Sequence, residues 1–198
     1  MVRPATVQDA RPLADILTYS FHSYSGLKGL LVPILRLGVY EDLSHRLRQP
    51  KPHHACFAAC FRENRASVVV GTVEVSMRYL RTKAIAPVKF PYISNLAVNP
   101  DYRRLGVARL LLQRCETQVR YWNYSNLALH VLENNEAAKQ LYLRSGYEVQ
   151  QVENSLNSWL LKRPRRLFCK KIYRLEQFSI LLMPDIILPE PSFVRRLT

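Results

Sequence analysis

Along the stretch from Ile93 to Tyr121 the spacing of apolar residues changes character. Ile93 to Val98 is an apolar run suited to a strand, and Asn99-Pro100-Asp101 breaks it. Beyond the break, apolar residues recur at helical spacing, with Val107, Leu110, Leu111, Cys115 and Val119 on one face and Arg109, Gln113, Glu116 and Arg120 on the other. The pattern predicts a strand, a tight basic turn, and a helix over Leu105 to Tyr121. A helix start leaves about four N–H groups unpaired and carries roughly half a positive charge. With Arg103, Arg104 and Gly106 in the turn, these amides suit a phosphate group.

Upstream, Met1 to Val7 suits a first strand, and Asp9 caps a helix carrying Leu13, Ile16 and Leu17. Leu27, Leu30, Leu31, Ile34 and Leu35 form a second helical stripe running on through Leu43 and Leu47, which places Pro33 near a first turn. From His54 the pattern turns to strands. His54 to Phe61 and Ser67 to Tyr79 pair about a turn at Glu63-Asn64-Arg65, and Gly71 marks a bulge or a close backbone approach. Leu80 to Val88 is a basic connection, and Tyr92 to Val98 is the third antiparallel arm. Downstream, Leu127 to Leu132 is a short buried strand, and Asn134 or Asn135 caps a helix closed by Gly146. Strands at Tyr147 to Val152 and Leu167 to Tyr173 flank a charged loop, and an apolar, proline-punctuated tail follows. The expected organisation is one domain over residues 1–175 and a tail over 176–198.

Composition narrows the partners. The 198 residues are 48% apolar, enough for a proper core. Lys28 and Arg36 interrupt the best candidate for a membrane span, and the first residues lack an apolar signal core, so a soluble, cytoplasmic protein is expected. The four cysteines Cys56, Cys60, Cys115 and Cys169 have no metal-ligand spacing, so no metal site is expected and buried reduced thiols are. A formal net charge of +14 favours acidic partners: a phosphate-bearing cofactor, an acidic protein or membrane surface, or nucleic acid.

Arg103-x-x-Gly106-x-Ala108, after a strand ending Leu96-Ala97-Val98, resembles the acyl-CoA signature of the GNAT superfamily of N-acetyltransferases. It lacks the Gly-Lys-Ser/Thr of an ATP loop and the three glycines of a dinucleotide fingerprint. A second motif, Asn135-Glu136-Ala137-Ala138-Lys139-Gln140-Leu141-Tyr142 followed by Gly146-Tyr147, is similar to the fourth-helix signature of the same superfamily. Leu129-His130-Val131 before it looks like the plastid-type protein acetyltransferases of that group.

The resemblance implies an α/β (α+β) fold with a mixed, mostly antiparallel sheet of about six to seven strands flanked by helices, and acetyl-CoA as co-substrate. It implies attack by a neutral amine on the thioester through a tetrahedral intermediate. By resemblance, backbone groups of Leu96, Ala97 and Val98 pair with the pantetheine arm. Amides from Arg104 through Leu105, Gly106, Val107 and Ala108 to Arg109, beside Arg103, hold the pyrophosphate, and Asn135 bonds the pantetheine amide or caps its helix. Tyr142 takes the general-acid position. Two places that often hold glutamate in the family carry Tyr92 and His130 here, and His130 has an intrinsic pKa near 6.5 suited to accepting a proton. Tyr19, Phe21, His22 and Tyr24 stand where they touch substrate or fill the core.

Freeing a lysine amine at pH 7 costs roughly 4.6 kcal/mol and an α-amine only about 1 kcal/mol, so a weak base copes more easily with the α-amine. The expected acceptor is an acidic or neutral protein or peptide amine. The alternatives are a small-molecule amine and a basic module docking on nucleic acid or ribosomes.

Overall fold

In the computed structural model, residues 1–21, 32–63, 66–80, 88–153 and 164–173 are described. Seven strands form one sheet: β1 (Val2–Pro4), β2 (His54–Glu63), β3 (Ala66–Leu80), β4 (Val88–Val98), β5 (Asn126–Leu132), β6 (Glu148–Glu153) and β7 (Arg166–Ile172). Their spatial order is β1-β2-β3-β4-β5-β7-β6. Every pairing is antiparallel except that of β4 with β5. Helices α1 (Ala10–Phe21) and α2 (Val32–Arg48) precede β2, α3 (Val107–Tyr121) follows β4, and α4 (Glu136–Arg144) follows β5.

Two cores form because alternate residues of one strand face opposite ways. On β2, Cys56, Ala58 and Cys60 pack with Leu13, Leu17 and Leu43 of α1 and α2. Phe57 and Ala59 turn the other way, toward Leu111, Leu112, Cys115 and Val119 of α3. Burial pushes the Cys56 thiol up to about 12, so it stays protonated at neutral pH.

Several expectations change in detail. The first strand is only Val2–Pro4, because Val7–Asp9 turns into a 3-10 helix. There the buried Asp9 carboxylate accepts from the Thr6 amide and from the Arg3 guanidinium, and its pKa is held low against the cost of burial. Pro33 does stand in the first turn of α2, but of the expected stripe Ile34 and Leu35 are exposed, while Leu43 is buried as expected. Leu27, Leu30 and Leu31 lie outside the described residues, as do the tail and the charged loop up to residue 163.

On α3, Leu110 is exposed and Glu116 is buried, the reverse of the simple amphipathic reading. Glu116 is buried because Lys171 of β7 donates to both its oxygens, at 2.9 and 3.0 Å. Gly71 is the close approach its place in the strand predicts. A Cβ there would lie 3.1 Å from both the Ala97 carbonyl oxygen and Leu111 Cδ1, so only glycine lets α3 sit this tightly on β3.

Candidate functional site

Where β4 and β5 should run side by side, they part. The single pair Tyr92 with Ala128 joins them, and from there Ile93 to Val98 and Leu129 to Leu132 diverge. The divergence starts beside a bulge. Asn95 has φ 55, and the β3–β4 register slips between Thr72 and Glu74, so that Asn95 and Leu96 together oppose Val73. The result is a V-shaped opening in the sheet with a cavity of about 280 Å³, whose walls include Asn95, Leu96, His130, Val131 and Tyr142.

At the open end of the V the chain passes through a 3-10 turn, Pro100–Tyr102, capped by Asn99, whose Oδ1 accepts from the Asp101 amide at 3.2 Å. Arg104 has φ 65 and Gly106 has φ 80, and α3 starts at Val107 with Gly106 as an N-cap that supplies no side chain to the helix. The first intrahelical bond is from the Leu110 amide to the Gly106 carbonyl, 3.1 Å. Amides from Gly106 to Arg109 therefore point off the helix end. A Cβ on Gly106 would meet nothing within 4 Å, so the space in front of these amides is open. Arg104, Leu105 and Arg109 flank it, exposed. A helix end of this kind, with free amides and flanking arginines, suits an anion.

The candidates read from the sequence are placed differently from one another. Leu96, His130 and Tyr142 line the V. Ala97 and Val98 lie further along its β4 arm, and Ala97 is turned into the α1 and α2 core. Arg103 is directed back toward the strand, its Nε donating to the Val98 carbonyl at 3.1 Å, so it braces the turn and takes one of the strand carbonyls expected to be free. Asn135 caps α4, its Oδ1 accepting from the Ala138 amide at 3.2 Å. Of the residues considered for an acceptor groove, Tyr19 is exposed on α1, while the Phe21 side chain, His22 and Tyr24 lie outside the described residues.

At the closed end of the V, three side chains form a line. Tyr92 Oη lies 2.9 Å from His130 Nδ1, and His130 Nε2 lies 2.8 Å from Glu153 Oε1. A carboxylate only accepts, so Nε2 carries the proton and Nδ1 accepts from the phenol. Phe168 packs against the His130 ring at 5.1 Å, and the Arg78 guanidinium lies 4.1 Å above the Tyr92 ring. Tyr142, on α4, is 8% exposed, and burial pushes its phenol well above the ordinary range, which keeps it protonated.

Behind the bulge lies a network that the linear sequence gave no sign of. Glu74, 2% exposed on β3, accepts from Asn95 Nδ2 at 2.9 Å and His54 Nε2 at 3.2 Å and is ion-paired with Arg46 of α2. Burial alone raises a carboxyl pKa, but the His54 hydrogen bond, Arg46 and Asn95 together hold Glu74 below its usual value. Tyr92 and Glu153 were likewise not singled out as partners of His130. Glu153 ends a strand of otherwise exposed residues, where a carboxylate reads as solvent-facing.

A family model described as the Acetyltransferase (GNAT) family matches residues 26–147. Over 144 residues the chain is 31% identical to GCN5-related N-acetyltransferase 10, chloroplastic, of Arabidopsis thaliana, covering 67% of this chain and 55% of that protein. Over 186 residues it is 29% identical to GCN5-related N-acetyltransferase 5, chloroplastic, of the same plant, covering 86% and 58%. The chain thus spans a little over half the length of these relatives. Among solved structures, the PaiA N-acetyltransferase from Thermoplasma acidophilum in complex with coenzyme A superposes with a TM-score of 0.64 at 16% identity, covering 87% of this chain and 98% of that one. Arabidopsis thaliana NAA60 in complex with a bisubstrate analogue gives 0.60 at 18%, with 87% and 98% covered. At these identities the two structures speak for the fold, a mixed seven-stranded sheet between helices. The family model and this fold, with its parted strands leading to an open helix end, place the chain in the GNAT acetyltransferase family.

Proposed function

We propose that the chain transfers the acetyl group of acetyl-CoA to a primary amine, with a protein α-amine or lysine as acceptor. The observation that carries this is the parting of β4 and β5 after one pair, with Leu96 on one arm, Tyr142 beside the other and unpaired helix amides at the open end. The residues present fit the cofactor: a strand edge for an amide-bearing arm, and a bare glycine N-cap flanked by Arg104 and Arg109 for a diphosphate. Acetyl-CoA, when bound, supplies the thioester that the amine attacks.

The amides of Gly106 to Arg109 hold the diphosphate, and Leu96 orients the arm along β4. Tyr92 and His130 form the base. The amine gives its proton to Tyr92 Oη as the phenol's own proton passes to His130 Nδ1, and Glu153 steadies the resulting imidazolium through Nε2. His130 thus acts through Tyr92. Tyr142 donates to the departing sulfur. The four buried thiols fit a reducing compartment, whether cytoplasm or stroma. Among the described residues no helix is long and apolar enough to cross a membrane.

The test is incubation with acetyl-CoA and a peptide library, followed by mass spectrometry of the products. Acetylated α-amines or lysines are expected, and peptides left unmodified while a free small amine is acetylated overturn the protein-acceptor assignment. Within that assay, His130→Gln is expected to lower kcat about 10²-fold. An unchanged kcat takes the Tyr92–His130 pair out of the reaction.

Gly106→Val tests the diphosphate site separately. A β-branched residue at φ 80 costs about 1–2 kcal/mol of backbone strain and fills the open space before the amides. The expected outcome is a KM for acetyl-CoA raised at least about tenfold with kcat within about twofold of the parent.

A further inference from the structure

A second cavity, of about 430 Å³, lies at the β1 edge of the sheet, between the end of α2, the start of β2 and the C-terminal half of α3. It shares no lining residue with the V between β4 and β5. Its size is that of a small-molecule site. Among the described residues its walls are basic and aromatic and include no carboxylate.

Two of the basic side chains are already committed, since Arg46 and His54 both serve Glu74. Lys51 and Arg114 are different: neither forms an ion pair among the described residues. Arg114 Nε is buried and has no hydrogen-bond partner there, and its guanidinium lies 5.2 Å from the Phe57 ring centroid. Arg114 lines the cavity with its charge uncompensated by any carboxylate there, so an anionic oxygen in the cavity is drawn to it.

The aromatic wall is held in place as firmly as the cationic one is left open. His53, with φ 53, meets Trp122 and Tyr124 edge-on, at 5.5 and 6.0 Å between centroids. Those edge contacts fix the indole of Trp122 as one side of the cavity.

We propose that this cavity is a binding site for a small anion built on a flat ring, with its charged oxygens on Arg114 and Lys51 and its ring against Trp122. An aryl carboxylate and a nucleoside monophosphate share this chemistry. The site is independent of acetyl transfer, because its residues belong to neither the V nor the open end of α3.

Calorimetric titration of the full chain, held saturated with CoA, tests this. The ligands are indole-3-acetate for the carboxylates and AMP for the phosphates. Acetate and inorganic phosphate are the controls without a ring, and indole and adenosine the controls without charge. Saturable one-to-one binding of indole-3-acetate or AMP is expected, at least about tenfold tighter than either of its own controls, and the arm that binds identifies the charged group. Arg114→Met and Lys51→Met are each expected to weaken that binding about tenfold or more while leaving CoA affinity as it was. Lys51 is exposed, so its variant keeps the test valid if Arg114→Met fails to fold. Absence of saturable binding up to about 10 mM overturns the proposal. So does binding that survives both substitutions, or binding that CoA abolishes.

Discussion

Tyr142→Phe is expected to lower kcat for acetyl transfer by about 10² or more while the KM for acetyl-CoA stays within about twofold. The expectation rests on placement and on protonation together. Tyr142 lines the V beside Leu96 and His130, and burial holds its phenol protonated far above neutral pH. An ordinary thiol has a pKa of about 8.5, so a phenol held this high donates unfavourably to a thiolate in water. A sulfur leaving inside the V is itself desolvated, however, and desolvation raises a thiol as it raises a phenol. The two groups then approach each other, and a hydrogen bond from Tyr142 is worth most as negative charge develops on sulfur. Phenylalanine keeps the ring and its edge contact with Tyr147, 6.0 Å between centroids, and removes only the proton donor. Initial-rate kinetics over a range of acetyl-CoA concentrations checks this, and an unaltered kcat removes Tyr142 from the reaction.

The second large effect is on stability. Glu74→Ala is expected to cost about 2–3 kcal/mol, less than the 3–5 kcal/mol of a fully buried broken pair because Arg46 is 26% exposed and regains water. For a chain of this size that lowers Tm by roughly 5–10 °C. The pH dependence has a definite sign. Glu74 is held below its ordinary value of 4.5 in the fold, so its contribution is fully present above about pH 4.5 and is lost as pH falls below that. Denaturant unfolding at pH 6 and pH 4 therefore shows a smaller gap between parent and Glu74→Gln at the lower pH than at the higher. Asn95 loses its acceptor in Glu74→Ala, so the KM for acetyl-CoA should rise in that variant as well.

The stretch from Tyr92 to Tyr121 was legible because its physics is local. An apolar run, a proline break and a glycine before a helical stripe are each set by near neighbours, and the structure places the turn and the helix as they predict. The caps at Asn135 and Gly146 were readable for the same reason. What escaped notice depends on residues far apart in the chain. Glu74 sits in a run of valines where a lone carboxylate reads as a solvent-facing position. Only the fold brings Arg46 and His54, 28 and 20 residues away, to pair with it. Glu116 was assigned outward because its burial depends on Lys171, 55 residues later. The exposure of Ile34 and Leu35 shows the converse, a helical stripe with good periodicity that the described residues leave uncovered. Part of the candidate site was legible by motif, with Leu96, His130 and Tyr142 brought to one cavity, while the contact between Tyr92 and His130 required the meeting of β4 and β5.

The strand order has a consequence for the order of synthesis. Because β7 lies between β5 and β6, neither of those strands has a neighbour on its β7 side until Ile172 has emerged during translation. A nascent chain that has made α4 and β6 still exposes the backbone edge of β5, all the way from Asn126 to Leu132, to any other extended peptide. Insertion of β7 is thus the step that hides this edge, and premature termination just before Arg166 should yield a product prone to aggregate through it.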